Sequence, residues 1–308
     1  MPGIGVINNP HSRKNRKNPE WMQSLGYIVG TTGTSVATEA IDDVDEMARL
    51  FREQDVDILA INGGDGSNSV ALSAIIRAYD GRTLPKIALL RGGTMNIAAN
   101  SCGIKGTPSG LMINLVNKYR EGLPFETTWR DTLKIEDRYG FVFGNGFVHD
   151  FLERLYETGK SAWGATKLLG RGVMSSMVGG EFAKTMFKGV NARIFVDGKP
   201  LPYENLAAMA ASTVSQIGLN FKAFHRWNEK PHTFHLIAVL CSPIALTTSF
   251  PKIYMGKKIS DKKMLDMVAS ELVCETQGTM GYTLDGENFE VENRLVLTTG
   301  PRLEIIVK

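Results

Sequence analysis

The chain has 308 residues, of which 43% are hydrophobic, 22% charged and 8% aromatic, a composition that buries a sizeable core and excludes disordered, collagen-like, coiled-coil and low-complexity classes. A length above that of one ordinary domain predicts two packed domains with a cleft between them. Lys and Arg total 35 against 32 Asp and Glu, a net charge of +3 that argues against a nucleic-acid binder and leaves room for a local basic patch facing phosphate or lipid.

In chain order, Gly3–Ile7 reads as a strand ending at Asn8, Asn9 and Pro10. Ile41–Phe51 has apolar residues at helical spacing, Asp57–Ile61 is a second strand closed by Asn62–Gly66, Ser67–Tyr79 is a second helix, and Lys86–Leu90 is a third strand closed by Gly92 and Gly93. This rhythm predicts an α/β domain over residues 1–127 with a mainly parallel sheet, whose ligands bind beyond the carboxyl ends of the strands. Over residues 128–302 short β-type runs follow one another: Thr132–Glu136, Gly140–Phe143, Ala192–Val196, Phe234–Leu240, Glu271–Thr276, Tyr282–Leu284 and Arg294–Thr298. They predict a β-rich, sandwich-like second domain, interrupted by a helical insertion at about 147–188 with Phe147–Glu157 and Thr166–Lys188 as its helices.

Cys102, Cys241 and Cys274 are widely separated and suit a reducing compartment. The opening residues lack the pattern of a signal peptide, and no run approaches the roughly 18 apolar residues of a membrane span. The expectation is a soluble cytoplasmic protein that touches membrane only at its surface.

The most informative stretch is DILAINGGDGSNS, Asp57–Ser69, a hydrophobic strand running through a glycine turn into a helix. Glycines let backbone amides approach an anion, and the helix N-terminus favours negative charge. Within it Asp65 either holds Mg²⁺, orders the loop or orients a reacting hydroxyl, or else is the N-cap of a plain strand-to-helix turn. Gly92, Gly93, Thr94 and Asn96 in LRGGTMN form a second such loop, and Asn9, Ser12, Arg13 and Lys14 in NNPHSRKN form a third with donors for phosphate oxygens. Neither a Walker-type loop nor a G-x-G-x-x-G fingerprint is present. Far downstream, Asp285 and Glu287 flank Gly286 in YTLDGE, either as a solvated hairpin tip or as a carboxylate pair for proton transfer or metal binding.

The set NNPHSR, GGDGS, GGTMN and LDGE, in this order, resembles the diacylglycerol kinase catalytic-domain family, particularly its soluble bacterial lipid kinases and their sphingosine and ceramide kinase relatives. The resemblance implies a two-domain fold related to that of NAD kinases, with ATP and Mg²⁺ as cofactors and with the C-terminal strand, 303–308, returning to the first domain. It implies that nucleotide contacts Asn9, Pro10, His11, Ser12 and Arg13, then Thr38, then Gly63, Gly64, Asp65, Gly66, Ser67, Asn68 and Ser69, then Gly93, Thr94 and Asn96. It makes Glu287 the catalytic base for a lipid hydroxyl and puts Asp65 near Mg²⁺ and the phosphates. The chain also departs from the family pattern: Ser67 stands for Thr, Ser69 for Asn, Arg91 for Pro, Ile97 for Asp and Asn100 for Arg. The family's accessory Mg²⁺ site does not carry over, and no protein metal ligands are assigned.

The resemblance implies a substrate lipid with a free hydroxyl, transient contact with the inner membrane surface and no nucleic-acid partner; exposed strands of the second domain could pair across a homodimer. Leu168–Lys188, rich in Met, Phe and Lys, is either an element that admits lipid or a helix packed on the second domain. His225, His232 and His235 cluster, but spacings of seven and three without nearby Cys do not make a zinc motif. Two other readings compete with lipid kinase: a soluble-substrate kinase of NAD kinase type, and a catalytically silent relative that binds nucleotide or lipid.

Overall fold

In the computed structural model, residues 3–38, 40–157, 189–217, 222–240, 252, 255–257 and 264–307 are described. The expected helix Thr166–Lys188 and Cys241 lie outside them. The chain divides into two compact units, the first made of 1–132, 137–140 and 301–308, the second of 133–136 and 141–300.

The first unit is α/β. Its elements are β1 (Ile4–Asn8), α1 (Arg13–Lys17), α2 (Pro19–Val29), β2 (Gly33–Ala37), α3 (Ile41–Glu53), β3 (Ile58–Asn62), α4 (Asp65–Tyr79), β4 (Lys86–Leu89), α5 (Ile97–Ser101) and α6 (Pro108–Arg120). The strands run parallel in the order β4, β3, β1, β2, with Ile4 opposite both Gly33 and Ile58, and Ile58 opposite Lys86. All five residues of β1 and of β3 are buried, as expected of parallel strands covered on both faces. Ile4, Val6, Ile58 and Ala60 pack with Leu25 and Val29 of α2 and Met112, Leu115 and Val116 of α6. On the other face, a Cβ at Gly5 would stand 2.9 Å from the Phe51 ring, so α3 lies hard against the sheet.

Local chemistry sets the helix ends. Val44, Ala48 and Phe51 make the buried stripe of α3, and the Asp43 side chain accepts the Ala40 amide at 2.8 Å. Pro108 opens α6, whose N-cap Thr107 accepts the Gly110 amide at 3.2 Å. The C-terminal residues of the chain also belong to this unit, with Ile305 pairing in parallel with Ile87 of β4.

The second unit is β-rich. Strands β5 (Thr127–Ile135) and β6 (Arg138–Gly140) are shared between the units or fall in the first. There follow β7 (Val142–Gly146), α7 (Phe147–Glu157), β8 (Val190–Asn191), β9 (Arg193–Val196), β10 (Lys199–Pro200), β11 (Asn205–Leu206), β12 (Ala208–Ser212), β13 (Phe234–Val239), β14 (Met264–Ala269), β15 (Glu271–Leu284) and β16 (Glu287–Ile306). Antiparallel neighbours run β14, β13, β12, β7, β15, β16, with β9 also on β15. Phe143, Leu236, Leu272, Tyr282 and Leu297 are among the residues of its core. The runs expected at Glu271–Thr276 and Tyr282–Leu284 are one strand, whose register shifts between Glu275 and Thr279, where Gly278 has φ +102°. Arg294–Thr298 and the C-terminal run are likewise parts of the single strand β16.

Candidate functional site

The carboxyl ends of β1, β3 and β4 bring together three loops through neutral side chains. Asn8 and Asn62 close their strands fully buried, and the Asn62 Nδ2 donates to Asn8 Oδ1 at 3.1 Å. Asn8 Nδ2 in turn donates to Ser35 Oγ on β2 at 2.9 Å. Asn15, with no exposure at all, donates to the carbonyls of Asn9 at 2.8 Å and Asn62 at 3.0 Å. Buried polar groups persist when they are hydrogen-bonded, so this lattice holds the β1 and β3 loops at a set spacing. Sequence reasoning missed Asn15 and Asn62; their signal was an amide side chain terminating, or following, a wholly apolar run.

The expected nucleotide residues divide between those held by the lattice and those facing outward. Asn9 Nδ2 donates to Ser67 Oγ at 2.7 Å, and Asn9 Oδ1 accepts the His11 amide at 2.8 Å. Ser12 is buried and its hydroxyl reaches the Gly92 carbonyl at 3.4 Å. Buried Thr38 donates to the Asn8 carbonyl at 3.3 Å. Ser69 is also buried and is turned away from the loops, its hydroxyl donating to the Tyr139 carbonyl at 2.8 Å. His11, Arg13 and Thr94 are exposed, while Pro10 and Gly66 are half-buried.

Glycine is required where the two turns meet. A Cβ at Gly93 would stand 2.4 Å from the Gly64 Cα, one at Gly92 2.8 Å from Asn62 Oδ1, and one at Gly63 2.3 Å from the Ser67 Cβ. Gly64 is the N-cap of α4 in extended conformation, so the first-turn amides of this 15-residue helix, from Asp65 to Ser67, lack intrahelical acceptors beside the turn. The Oδ1 atoms of Asn62 and Asn68 are buried without a hydrogen-bond partner among the described residues. A glycine cradle with helix amides suits the phosphates of a nucleotide.

Asp65 is not the cap of its own helix. Its Oδ1 accepts the Ile97 amide at 2.6 Å, and the amides of Asn96 and Ala98 also point to the carboxylate, so it ties the start of α4 to the start of α5. Burial pushes its pKa up, outweighing these amides, which pull it down. Asn96 adopts φ +50° and closes a ring with Gly93, accepting its amide at 3.2 Å and donating to its carbonyl at 3.1 Å. Lys14 Nζ donates to the Arg91 carbonyl at 2.8 Å, and partial burial together with the Arg91 guanidinium pushes the Lys14 pKa down. The Arg91 Nη1 donates to the Ile104 carbonyl at 2.6 Å, so these loops carry two cations that favour anions nearby.

In the second unit, Asp285 (φ +50°) and Gly286 (φ +85°) form the two-residue turn joining β15 to β16, with Leu284 opposite Glu287. The hairpin tip is not solvated at Asp285, which is buried and accepts the Phe141 and Val142 amides at 2.9 Å each. Its carboxylate therefore anchors the turn, with Asp285 in the turn itself and Glu287 half-buried at the start of β16, so the two do not lie two apart on one strand. For Mg²⁺, the glycine loops offer a single carboxylate, Asp65, already bonded to Ile97. That donor set fits an ion carried mainly by nucleotide phosphates and water, with at most one protein oxygen.

Comparison with known proteins bears on these loops directly. Residues 3–123 match the family model described as diacylglycerol kinase catalytic domain. A crystal structure from Bacillus anthracis str. Sterne, of a protein provisionally named a diacylglycerol kinase, superposes with a TM-score of 0.72 at 14% identity, over 99% of this chain and 97% of that one. A crystal structure of a diacylglycerol kinase from the same organism gives 0.66 at 14% identity with the same coverage. No curated protein matches by sequence. No helix among the described residues is long and apolar enough to cross a membrane. The fold is shared along nearly the whole chain, and the stretch from residue 3 to residue 123, which carries all three loops, matches the model of the diacylglycerol kinase catalytic domain.

Proposed function

We propose that the protein is an ATP-dependent lipid kinase that transfers the γ-phosphoryl group to the hydroxyl of a lipid such as diacylglycerol, a sphingoid base or ceramide. The observation that carries this reading is the contact of Gly64 with Gly93 ahead of the α4 N-terminus, within the stretch that matches the family. Phosphoryl transfer asks mainly for positioning and for stabilisation of charge on the phosphate oxygens. The α4 amides, Lys14 and Arg91 would hold the phosphates, while the asparagine lattice keeps their loops in place. Mg²⁺, with Asp65 as its protein oxygen, would supply further neutralisation of phosphate charge when bound. Glu287 would take the proton of the lipid hydroxyl as its oxygen bonds to the γ-phosphorus and ADP departs. A lipid acceptor implies work at the inner membrane surface.

A second reading, nucleotide binding without turnover, is favoured by one observation: the Asp65 carboxylate is committed to the Ile97 amide, at the residue where the family pattern has an acid. Purified protein with labelled ATP and a panel of diacylglycerol, sphingosine, ceramide and NAD separates the readings. Labelled lipid, abolished by Glu287→Gln, is expected. Labelled NAD would favour the soluble-substrate reading, and ATP binding with no labelled acceptor would favour the silent one.

A further inference from the structure

The second unit gathers a set of donors that spacing along the chain does not reveal. His235 lies on β13 and Asp266 on β14, where His235 is paired with Val268 and Asp266 with Ile237, so the two are diagonal neighbours on one sheet face. His225 comes from the segment before β13. His235 Nε2 stands 3.0 Å from Asp266 Oδ1, and His225 Nε2 stands 3.5 Å from Asp266 Oδ2. The two imidazoles are 5.0 Å apart, edge to face. The His235 and Asp266 side chains are 0% and 2% exposed, while His225 is 34% exposed.

Arg226 decides how the carboxylate is used. Its Nη1 donates to Asp266 Oδ1 at 3.2 Å, and its Nε and Nη2 donate to Glu229 at 2.6 and 2.9 Å. Oδ1 thus has two neighbours, Arg226 and His235. Oδ2 is buried and accepts no hydrogen bond among the described residues. A buried carboxylate oxygen without a donor is costly, and a cation is one way to satisfy it.

We propose that His225, His235 and Asp266 form a binding site for a divalent transition metal of the zinc class, with access and an open coordination position on the exposed His225 side. Zinc bonds of about 2.0–2.2 Å in a tetrahedron place neighbouring donors roughly 3.3 Å apart. His225 Nε2 stands 3.5 Å from Oδ2, near that value, His235 Nε2 stands 3.0 Å from the other oxygen of the same carboxylate, and one ligand atom from each of the three residues lies within 4.8 Å of the others. Two imidazoles with one carboxylate suit zinc, nickel or copper and are a poor set for magnesium or calcium, which take oxygen. Arg226 serves as the outer partner that fixes the carboxylate through Oδ1 and leaves Oδ2 for the ion. The three residues all belong to the second unit, and the site does not depend on the proposed kinase reaction.

The test uses the full chain, stripped with a chelator and titrated with Zn²⁺ by calorimetry and with Co²⁺ by visible absorption. The expected result is one ion per chain, tetrahedral Co²⁺ bands and a raised melting temperature. His225→Ala, at a partly exposed position, should weaken binding by at least the ~10–100-fold that loss of an outer-sphere partner costs. Asp266→Asn should do the same, with circular dichroism checking the fold of each variant. His149→Ala controls for a second cluster, His149, Asp150 and Glu153 on α7, and should leave binding unchanged. Absence of stoichiometric binding to the wild type, wild-type affinity in His225→Ala, or loss in His149→Ala instead would overturn the proposal and leave a proton-only His–Asp–Arg network.

Discussion

Substitution of Asp65 by Asn and by Ala separates the two contributions that meet at its carboxylate. One is acceptance of the Ile97 amide at 2.6 Å, supported by the Asn96 and Ala98 amides. A hydrogen bond to a charged acceptor contributes about 1.5–3 kcal/mol, and a buried amide left without an acceptor costs about 1–3 kcal/mol. The other is burial of the charge, which raises the pKa in spite of those amides. Because burial prevails, the folded state holds this charge less readily than the unfolded chain does, and Asp65→Asn keeps an acceptor oxygen while removing the charge that burial disfavours. Its stability at pH 7 should lie close to that of wild type and well above that of Asp65→Ala. Asp65→Ala strands the α5 amides and should cost about 1–3 kcal/mol. The sign with pH is definite: the folded-state pKa lies above the unfolded one, near 3.9, so the folded state binds this proton more tightly. Wild type should gain on Asp65→Asn as pH falls through the folded pKa, hold the full gain below the unfolded pKa, and lose it as pH rises again. Urea unfolding of the three proteins between pH 4 and about pH 7 reads these differences, with slopes compared to confirm a common unfolding reaction. An Asp65→Asn midpoint as low as that of Asp65→Ala, or a gap that moves the other way with pH, would show that the amides outweigh burial. If Asp65→Asn is as stable as wild type and fails to phosphorylate lipid, the charge is retained for chemistry at the expense of stability.

Glu287→Gln should lower kcat for lipid phosphorylation by roughly 10²–10⁴ while thermal unfolding is nearly unchanged; residual activity near wild type would remove it as the base. Gly93→Ala, whose Cβ would stand 2.4 Å from the Gly64 Cα, should destabilise by about 1–3 kcal/mol and weaken ATP binding, read by thermal shift with and without ATP. Asp285→Asn tolerates φ +50° and keeps an acceptor for the Phe141 and Val142 amides, so it should be mild. Asp285→Ala should cost about 1–3 kcal/mol for each amide stranded, and equal losses in the two variants would contradict this anchoring role.

Much of this was legible before the structure. The apolar runs at β1, β3 and β4 are within a residue of their expected limits, because strands buried on both faces carry polar residues only at their ends, Asn8, Asn62 and Lys86. Helix α7 coincides with its expected Phe147–Glu157. The edge strand β2, Gly33–Ala37, is half-buried and carries polar Thr and Ser, so it has neither an apolar run nor clean alternation to betray it. Gly26 obscures the helical pattern of α2, which nonetheless runs unbroken through it, and Pro108 with Gly110 at the start of α6 looks like a loop until Thr107 is seen to cap it. At the site, the loops were visible because glycine clusters after apolar runs have few other uses. The partner of Asp65 was not: its amides belong to residues some thirty positions away, and only the contact of Gly64 with Gly93 brings them close. The alignment of His225 and His235 with Asp266 depends in the same way on the register of β13 and β14.

The lattice of Asn8, Asn15 and Asn62 has a kinetic consequence. Its side chains are neutral and bonded within the protein, so on the proposed reading the loops stand ready before nucleotide arrives. A ligand meeting a ready surface associates in one step, at a rate that rises linearly with its concentration and shows no plateau from a preceding rearrangement. Loosening the lattice, as in Asn15→Ala, would introduce that plateau without touching any group proposed to contact phosphate, so a change in the shape of the binding trace would betray a residue that equilibrium affinity alone could overlook.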